Sequence, residues 1–399
     1  MSSSPAKDTI PRVTHVSYFY SIMQGIAEGL TFDELRLRVR QVSSELNRRS
    51  GGSATTARIT DAYTLWSPTA DAISELMRLG LVERRPVPAK RTNVDAHRET
   101  KYHLTPGGLD IFDQSRGNES AFRGALTPLL IKQHPYLSTL CAALSEEPLL
   151  IPEYTEEELK EFKHASESWT ALLGESAAER MRQSMRRANA SAEAVTAQVR
   201  EALKKRFSGG AEPSPKDILD TVLDALVVAT LEARGIRYDA ITFNILTSWG
   251  RQLFIFDESR YVQDMSGRAV WSTAAIEGIG SEAPSVTRRG LSQFGDRVAE
   301  QLAASYRDIA EALTADIGGS AVRFPYIGIY KVRALAAFRV GVNISLVDRV
   351  IAEIAERARQ VPFSLELQLG TANWPYSEPP FRLGSRRYYV MLIKPEGDE

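Results

Sequence analysis

Apolar residues recur at helical spacing in the first part of the chain, and this spacing predicts three helices. The first covers 16–26 and the second covers 32–46. Ser67 can cap the start of the third helix, and Gly80 can end it in a left-handed conformation. A basic loop and a short extended segment follow, so we expect a hairpin after the third helix.

A long polar helix is predicted over 155–207, beginning with a capping-box pair of Thr155 and Glu158. The net charge changes sign along this region, from −6 over 146–167 to +5 over 179–206. The basic part carries one narrow apolar seam, formed by Met181, Met185, Ala188, Ala192, Val195, Val199 and Leu203. Such a helix is expected to pair with a partner helix, which predicts a homo-oligomer or a protein complex formed through 155–207.

The segment 208–215, SGGAEPSP, is the clearest linker. A helix is predicted after it and ends at Gly235. Alternating apolar residues then predict strands over 241–246 and 251–256, joined by a turn at 248–250, as a small β-meander. A further amphipathic helix is marked by Val298, Leu302, Tyr306, Ile309 and Leu313.

The C-terminal segment repeats the order of elements predicted near the N-terminus. A helix over 331–339 precedes another that begins near Asn343 or Ser345. Strands are predicted over 363–369 and 388–393, and the loop between them is rich in proline and aromatic residues, including Trp374.

Composition indicates an ordinary globular protein of 399 residues, 43% hydrophobic and 25% charged. The 49 basic and 50 acidic residues give a net charge of −1, so any affinity for DNA must come from a local patch. The single cysteine, Cys141, cannot form an intramolecular disulfide, and the first residues lack the apolar core of a secretory signal. We therefore expect a cytoplasmic protein with no membrane segment.

Two short motifs lie in the segment 73–112, which reads ISELMRLGLVERRPVPAKRTNVDAHRETKYHLTPGGLDIF. One is Leu-x-x-x-Gly-Leu-Val-x-Arg and the other is Tyr-x-Leu-Thr-x-x-Gly. Their residues are Leu76, Gly80, Leu81, Val82 and Arg84, then Tyr102, Leu104, Thr105 and Gly108. These motifs resemble the winged-helix DNA-binding family, in particular MarR-like and PadR-like regulators, over the segment from about 12 to 115. The resemblance implies a reading helix, a strand, a basic hairpin (the wing, here 84–101) and a second strand that opens a helix.

The segment from about 325 to 395 looks like a second winged helix, from the order of its predicted elements alone. The expected fold class is therefore α+β and mostly helical, with winged-helix domains at both ends and a helical and small β-meander middle. The expected divisions are a winged helix over 12–115, a helical region over 120–207, the linker 208–215, an α+β middle domain over 216–320 and the second winged-helix-like domain over 321–395.

The wing carries six basic and two acidic residues, a net charge of +4, and a projecting basic hairpin can reach DNA phosphates or a minor groove. The predicted DNA-binding residues are Arg84, Arg85, Lys90, Arg91, Arg98, Lys101, Thr69, Ser74 and Arg78. Thr69 and Ser74 are expected to face outward from the third helix together with Asp71 and Glu75, and these two acids repel phosphate. Contact with the DNA backbone is therefore expected more than reading of base sequence.

A second set of arginines is predicted to contact DNA or a partner: Arg36, Arg38, Arg40, Arg382, Arg386 and Arg387. Two alternatives stay open for them. The arginines of the second helix can simply solvate its surface, and the C-terminal hairpin can dock on the rest of the protein.

The usual sequence markers of ATPase, hydrolase and zinc chemistry are missing from the chain. His97 and His103 have too few ligand residues nearby for a zinc site. No catalytic residue, metal or cofactor is predicted. A metal-dependent nuclease is an open alternative, because Glu366-Leu367-Gln368 is a loose variant of a Glu-x-Lys pattern. The acidic partner that such a site needs is not identifiable, since Asp348 is predicted on a helix and Asp257 belongs to another predicted domain.

These observations favour a DNA-binding protein without catalytic activity, whose partner is double-stranded DNA. It would act in transcription regulation or as the DNA-binding subunit of a larger bacterial machine, such as an antiviral defence system. The alternative is a kleisin-like architectural subunit whose terminal winged helices bind protein. Against that alternative, the middle of the chain is predicted to be folded, whereas a kleisin tends to be extended there.

Overall fold

The computed structural model describes Val13 and residues 15–49, 66–84, 101–152, 201, 215–259, 267–273, 283–316, 325–369 and 380–395. The described elements are helices and strands, mostly helices, as the sequence predicts. The helices are α1 (Ser17–Ala27), α2 (Phe32–Arg49), α3 (Trp66–Arg78), α4 (Pro106–Gln114), α5 (Glu119–Gln133), α6 (Pro135–Glu146), α7 (Pro215–Glu232), α8 (Ala240–Gln252), α9 (Ala283–Asp316), α10 (Ile329–Val340) and α11 (Ile344–Ala355). The strands are β1 (Val82–Arg84), β2 (Tyr102–Leu104), β3 (Leu149–Pro152), β4 (Phe256–Ser259), β5 (Gly267–Ser272), β6 (Ile327–Gly328), β7 (Phe363–Gln368), β8 (Phe381–Leu383), β9 (Arg386–Tyr388) and β10 (Val390–Pro395).

The chain divides into two compact units. The first contains residues 1–138, 244–253 and 278–285, and the second contains 139–243, 254–277 and 286–399. This division differs from the five segments expected from sequence, because segments that are distant along the chain share contacts in each unit. The predicted boundaries at the linker 208–215 lie almost wholly outside the described residues and stay a prediction.

Helix α1 is central to the first unit, where it contacts α2, α3, α4, α5 and β2. Most of its residues are buried, including Phe19, Ile22 and Met23. They pack in a unit whose other buried apolar residues include Leu35, Leu76, Phe122, Leu126, Leu130 and Trp249. Full burial of one such side chain contributes about 1.5–3 kcal/mol, so these helical stripes supply most of the stabilisation of this unit.

The motif Thr-x-x-Gly at 105–108 joins the start of α4 to the end of α3. The Thr105 hydroxyl accepts a hydrogen bond from the Gly108 N–H (3.1 Å) and donates one to the Gly80 carbonyl (2.6 Å). Gly80 has φ = +72°, the left-handed conformation expected from the sequence. The backbone of Gly108 comes so close to Leu81 that a Cβ atom there would lie 2.0 Å from the Leu81 carbonyl oxygen. A side chain at 108 is therefore excluded by a neighbouring backbone.

Two antiparallel sheets of three strands belong to the second unit, with the orders β3-β5-β4 and β6-β10-β7. One hydrophobic core connects them with α9, α10 and α11. Its buried residues include Trp271 of β5, Leu302 of α9, Val332 of α10, Val347 of α11 and Met391 of β10. The sheet β3-β5-β4 and the C-terminal segment thus share a core.

The two ends of the chain share one order of elements. Near the N-terminus, Lys101 forms an antiparallel bridge with Thr31, and the adjoining strand β2 pairs with β1, while α2 and α3 separate Thr31 from β1. Near the C-terminus, β10 pairs with β6 on one side and β7 on the other, while α10 and α11 separate β6 from β7. Near the C-terminus the last strand lies between the first and the second, and near the N-terminus the segment 101–104 lies between a single bridge at Thr31 and strand β1.

The strands predicted over 241–246 and 251–256 are wrong for all but the last residue, because α8 extends to Gln252 and residues 253–255 connect it to β4. The Asp239 carboxylate accepts a hydrogen bond from the Thr242 N–H (2.6 Å), which caps the start of a helix. Ile241 is 58% exposed, so the alternating apolar residues do not mark one buried face. The alternating apolar residues are also compatible with a helix, and the cap and the three-dimensional packing favour the helix here.

A small sheet does form in the middle region, but it is not the predicted meander. Strands β4 and β5 pair with Phe256 opposite Ser272, and β3 pairs with the other side of β5, with Leu149 opposite Val270. Strand β3 precedes the long helix predicted over 155–207, so neighbouring strands of the sheet are far apart along the chain. Local alternation does not reveal a pairing of this kind.

The remaining helix predictions are confirmed where the structure describes them. Helices α1, α2, α3, α7, α9, α10 and α11 correspond to the predicted segments, and Gly235 has φ = +72° just after α7. The predicted C-terminal strand over 388–393 is divided into β9 and β10. The predicted helix over 155–207 lies outside the described residues apart from Glu201, and so does Trp374.

We predict that Gly108→Ala lowers the free energy of unfolding by about 1–3 kcal/mol, because the new methyl group meets the Leu81 carbonyl and the backbone must move. Chemical denaturation followed by circular dichroism measures this. Gly107→Ala is the matched control, since a Cβ atom at Gly107 meets nothing within 4 Å. Equal stability of the two variants would contradict the close approach.

Candidate nucleic-acid interface

The wing is described at its two ends. Arg84 and Lys101 are both exposed, and Arg84 lies opposite Tyr102 in the β1–β2 pair. Because adjacent side chains of a strand point to opposite faces, Lys101 leaves the ribbon on the face away from Tyr102 and Arg84. The side chains of Arg84 and Lys101 therefore leave the β1–β2 pair on opposite faces. The predicted contacts Arg85, Lys90, Arg91 and Arg98 lie outside the described residues.

The face of Lys101 is directed towards the start of α2. Glu34 lies near Lys101, and its carboxylate accepts hydrogen bonds from the Thr31 N–H (2.6 Å) and the Thr31 hydroxyl (2.8 Å). These bonds, the backbone one above all, hold the pKa of Glu34 below its ordinary value. The Glu34 carboxylate thus caps the Thr31 N–H, which is one half of a capping box, and the signal Thr-x-x-Glu is present in the sequence but does not figure in our sequence analysis.

Helix α3 presents fewer polar residues outward than the sequence suggests. Thr69 is 0% exposed and Glu75 is 2% exposed, so the expectation that they face outward is wrong. Ser74 is exposed as predicted, and Met77 is 40% exposed. The helical period places Thr69 and Glu75 on the side of α3 that also carries the buried Leu76, so packing rather than polarity decides their position.

Glu75 belongs to a buried polar network. Its carboxylate is 2.6 Å from His134 Nε2 and accepts a hydrogen bond from Arg78 Nη2 at 2.6 Å. Arg78 Nη2 also lies 3.1 Å from His134 Nε2, and the imidazole ring packs edge-on against Trp249 with the ring centroids 5.3 Å apart. The network gives the buried Glu75 two partners. One guanidinium nitrogen of Arg78 is also bound within this network, and Arg78 is a residue that the sequence analysis predicts to bind DNA.

The three arginines of α2 have different surroundings. Arg38 forms a two-fold ion pair with Glu28 and lowers the pKa of that carboxyl through the hydrogen bond. Arg36 Nη2 lies 3.7 Å from the Asp33 carboxylate, while Arg40 is exposed. Arg36 and Arg38 each have a carboxylate nearby, and their predicted contact with DNA or a partner stays a prediction.

The C-terminal hairpin formed by β8 and β9 brings three exposed arginines together. Arg382 lies directly opposite Arg387, and Arg386 lies opposite Leu383. The turn contains two residues, and the first, Gly384, has φ = +59°, a conformation that favours glycine. At the base of the hairpin, Phe381 is buried, with its ring centroid 6.4 Å from that of Tyr388. The guanidinium groups are thus carried by a short, anchored ribbon.

The residues of the nuclease alternative do not form an acidic cluster. Glu366 accepts hydrogen bonds from Lys394 Nζ (2.9 Å) and the Tyr326 hydroxyl (3.0 Å), and chiefly the Lys394 bond lowers its pKa. Asp348 pairs with Arg333 (3.0 Å), and Asp257 accepts a hydrogen bond from the Ile344 N–H (2.7 Å). Within the described ranges no group of three potential metal-ligating side chains comes together.

Two further observations concern the described part of the chain. Burial raises the pKa of the Cys141 thiol to about 11, so this cysteine is a poor nucleophile. None of the described helices is both long and apolar enough to cross a membrane.

Comparison with known proteins identifies no relative, since no protein-family model, curated protein or solved structure matches the chain.

We predict that His134→Ala lowers the free energy of unfolding by about 3 kcal/mol or more, because it deprives the buried Glu75 carboxylate of a partner. Thermal and chemical unfolding monitor this change. His103→Ala, at an exposed position of β2, is the matched control and should leave stability nearly unchanged. A loss at position 103 as large as that at 134 would argue against the network.

Proposed function

We propose that this chain is a DNA-binding protein without catalytic activity, with a winged-helix module at each end. It acts as a transcription regulator or as the DNA-binding subunit of a larger bacterial complex, including a defence complex. The observation that carries the proposal is the order of elements common to both ends, in which two helices precede a hairpin and the last strand lies between the first and second.

This order is what a winged helix requires. The two helices between the first and second strands provide the helix pair, and the connection between the second and third strands provides the wing. In the N-terminal module the helix pair is α2 and α3, and the wing is the +4 segment 84–101. In the C-terminal module the helix pair is α10 and α11, and the connection contains the β8–β9 hairpin.

The positive charge of the two hairpins favours contact with the phosphates of the DNA backbone over recognition of the bases. The wing 84–101 holds six basic residues and the β8–β9 hairpin holds three arginines, whose guanidinium and ammonium groups can pair with phosphates. Helix α3 contributes the exposed Ser74 and Met77, and Arg78 is engaged with Glu75 and His134. Thr69 is buried and is no longer part of the proposed contact.

The proposal is tested by binding of the full chain to a duplex across a salt series. If four wing cations meet phosphates, the slope of log affinity against log salt includes about −3.6 from the wing. Replacing Arg84, Arg85, Lys90 and Arg91 together by alanine should remove that part of the slope. Arg116→Ala, an exposed arginine in the turn after α4, is the control and should leave the slope unchanged. An unchanged slope in the four-residue variant would place the contact elsewhere.

A second function, the kleisin-like architectural subunit, is favoured by one observation. The outward face of α3 carries the exposed apolar side chain of Met77, and Leu37 of α2 is also exposed, at 54%. Exposed apolar residues on a helix pair suit a protein partner more than a polyanion. The two functions differ in whether the isolated chain binds duplex DNA.

If the architectural function is correct, the isolated chain shows no salt-dependent binding to duplex DNA and copurifies with a large ATPase at fixed stoichiometry. Met77→Glu should then reduce copurification at least ten-fold, because it places a charge in an apolar contact. Ser74→Ala, at a neighbouring exposed position, serves as the control. Duplex binding by the chain alone would contradict this function.

A further inference from the structure

Strand β7 forms an open edge of the sheet β6-β10-β7. In the part of the chain that the structure describes, β7 pairs with β10 along one side, and no strand pairs with its other side. Backbone N–H and C=O groups of alternate residues point towards that side, where they can pair with another extended chain. Strand β7 has six residues, whereas the other described edge strands have four or fewer. It is therefore the longest template for an added strand among the described edges.

The other described edges carry residues that discourage pairing. Proline and charged side chains are the usual protection of an edge. Strand β3 ends in Pro152, β4 contains Asp257 and Glu258, and the β8–β9 hairpin carries three arginines. Strand β7 has no proline, lysine or arginine, and its one charged residue, Glu366, accepts a hydrogen bond from Lys394 Nζ at 2.9 Å. The β7 edge is thus both long and unprotected.

The side chains of β7 alternate in a way that suits a sheet continued by another strand. Leu365 and Leu367 are partly buried and pack against the core shared with α9, α10 and α11. The alternate positions, 364, 366 and 368, are polar and exposed. Leu369 continues the alternation directly after the strand and is 61% exposed, the largest fraction for a large apolar residue in the described ranges. A row of three leucines therefore runs from the core to solvent along β7.

The sequence of β7 favours one register for pairing with a second copy of itself. When two identical antiparallel strands are related by a two-fold axis, each residue lies opposite itself or a residue an even number of positions away, because side chains alternate between the faces. An axis at Glu366 would set two carboxylates opposite each other. An axis at Leu365 would bring Pro362, which cannot donate a backbone hydrogen bond, opposite Gln368. An axis at Leu367 avoids both conflicts.

The register centred on Leu367 also gives the exposed side chains complementary partners. Leu369 lies opposite Leu365 of the second copy, which removes an exposed leucine from water. Glu366 lies opposite Gln368 of the second copy, whose amide can donate a hydrogen bond to the carboxylate. The net charge of −1 gives no general repulsion between two copies. The leucine rows of the two copies join, so the apolar core continues from one copy to the other.

We infer that two copies of this chain associate by antiparallel pairing of their β7 strands about a two-fold axis at Leu367, which forms one six-stranded sheet, β6-β10-β7-β7-β10-β6. The contact uses the same surface of both copies, so it closes at two chains. It is separate from the pairing expected for the helix 155–207, and it does not depend on the proposed binding of DNA.

Disulfide cross-linking of the full chain tests the register. Cys141→Ala first removes the single native cysteine. Leu367→Cys in this background should then give a disulfide-linked dimer on mild oxidation, because the two copies of position 367 lie opposite each other with Cα atoms about 4.5–5.5 Å apart. Ser364→Cys in the same background is the matched control. Position 364 is more exposed, but its two copies lie roughly 20 Å apart in this register and should not cross-link.

Sedimentation velocity across a concentration series tests the contact itself. The unaltered chain should form a dimer, and Leu369→Glu should raise the dissociation constant at least ten-fold, because it places a charge in an apolar contact. Ile241→Glu on α8 is the matched control, since Ile241 is 58% exposed and receives the same charge. It should leave the dissociation constant unchanged.

Three results would overturn the inference: a chain that is monomeric at every concentration, a dimer that Leu369→Glu leaves unchanged, and cross-linking at 364 as ready as at 367. Circular dichroism melting identifies a variant that fails to fold, and Leu369→Glu, at an exposed position, keeps the test decisive if Leu367→Cys does not fold. Binding to duplex DNA is measured separately, so the failure of the proposed function and the failure of this inference are distinguishable.

Discussion

Backbone pairing of one late strand between two earlier ones organises each end of this protein. Strand β10 bonds to β6 on one side and to β7 on the other, and the segment 101–104 does the same between Thr31 and β1. Each pairing closes a loop that contains two helices, so the helices must pack against the sheet. Near the C-terminus the connection into the last strand contains the β8–β9 hairpin, whose Phe381 is buried in the core while its arginines are exposed.

Buried charges limit which residues can act at the surface. Glu75, Asp257 and Arg333 are all nearly fully buried, and each is satisfied by hydrogen bonds from or to another element. Leaving any of them without a partner would cost several kcal/mol, so the partners are held in place. Arg78 and the start of α11 are engaged in this way. A guanidinium nitrogen of Arg78 and the first N–H group of α11 are thereby used for folding.

The close approaches in the first unit show how motif residues act through physical constraints. Thr105 caps α4 and Gly108 lets the helix touch the backbone of Leu81, so the Thr-x-x-Gly motif is a packing device. Its presence reports the fold of the module. It says nothing by itself about what the module binds, and the same holds for Gly80 at the end of the preceding helix turn.

Helical spacing and local capping determined the helices of this chain, because these interactions connect residues that are three or four positions apart. The ends of α3 and α7 could be predicted from Gly80 and Gly235, and the net charge of the wing from its residue types. The sequence did not reveal α8 as a helix, the pairing of β3 with β5, or the burial of Thr69 and Glu75. Only the tertiary structure decided the strand pairing and the burial of Glu75, since both depend on partners far along the chain: Leu149 of β3 lies opposite Val270 of β5, and His134 lies 59 residues from Glu75.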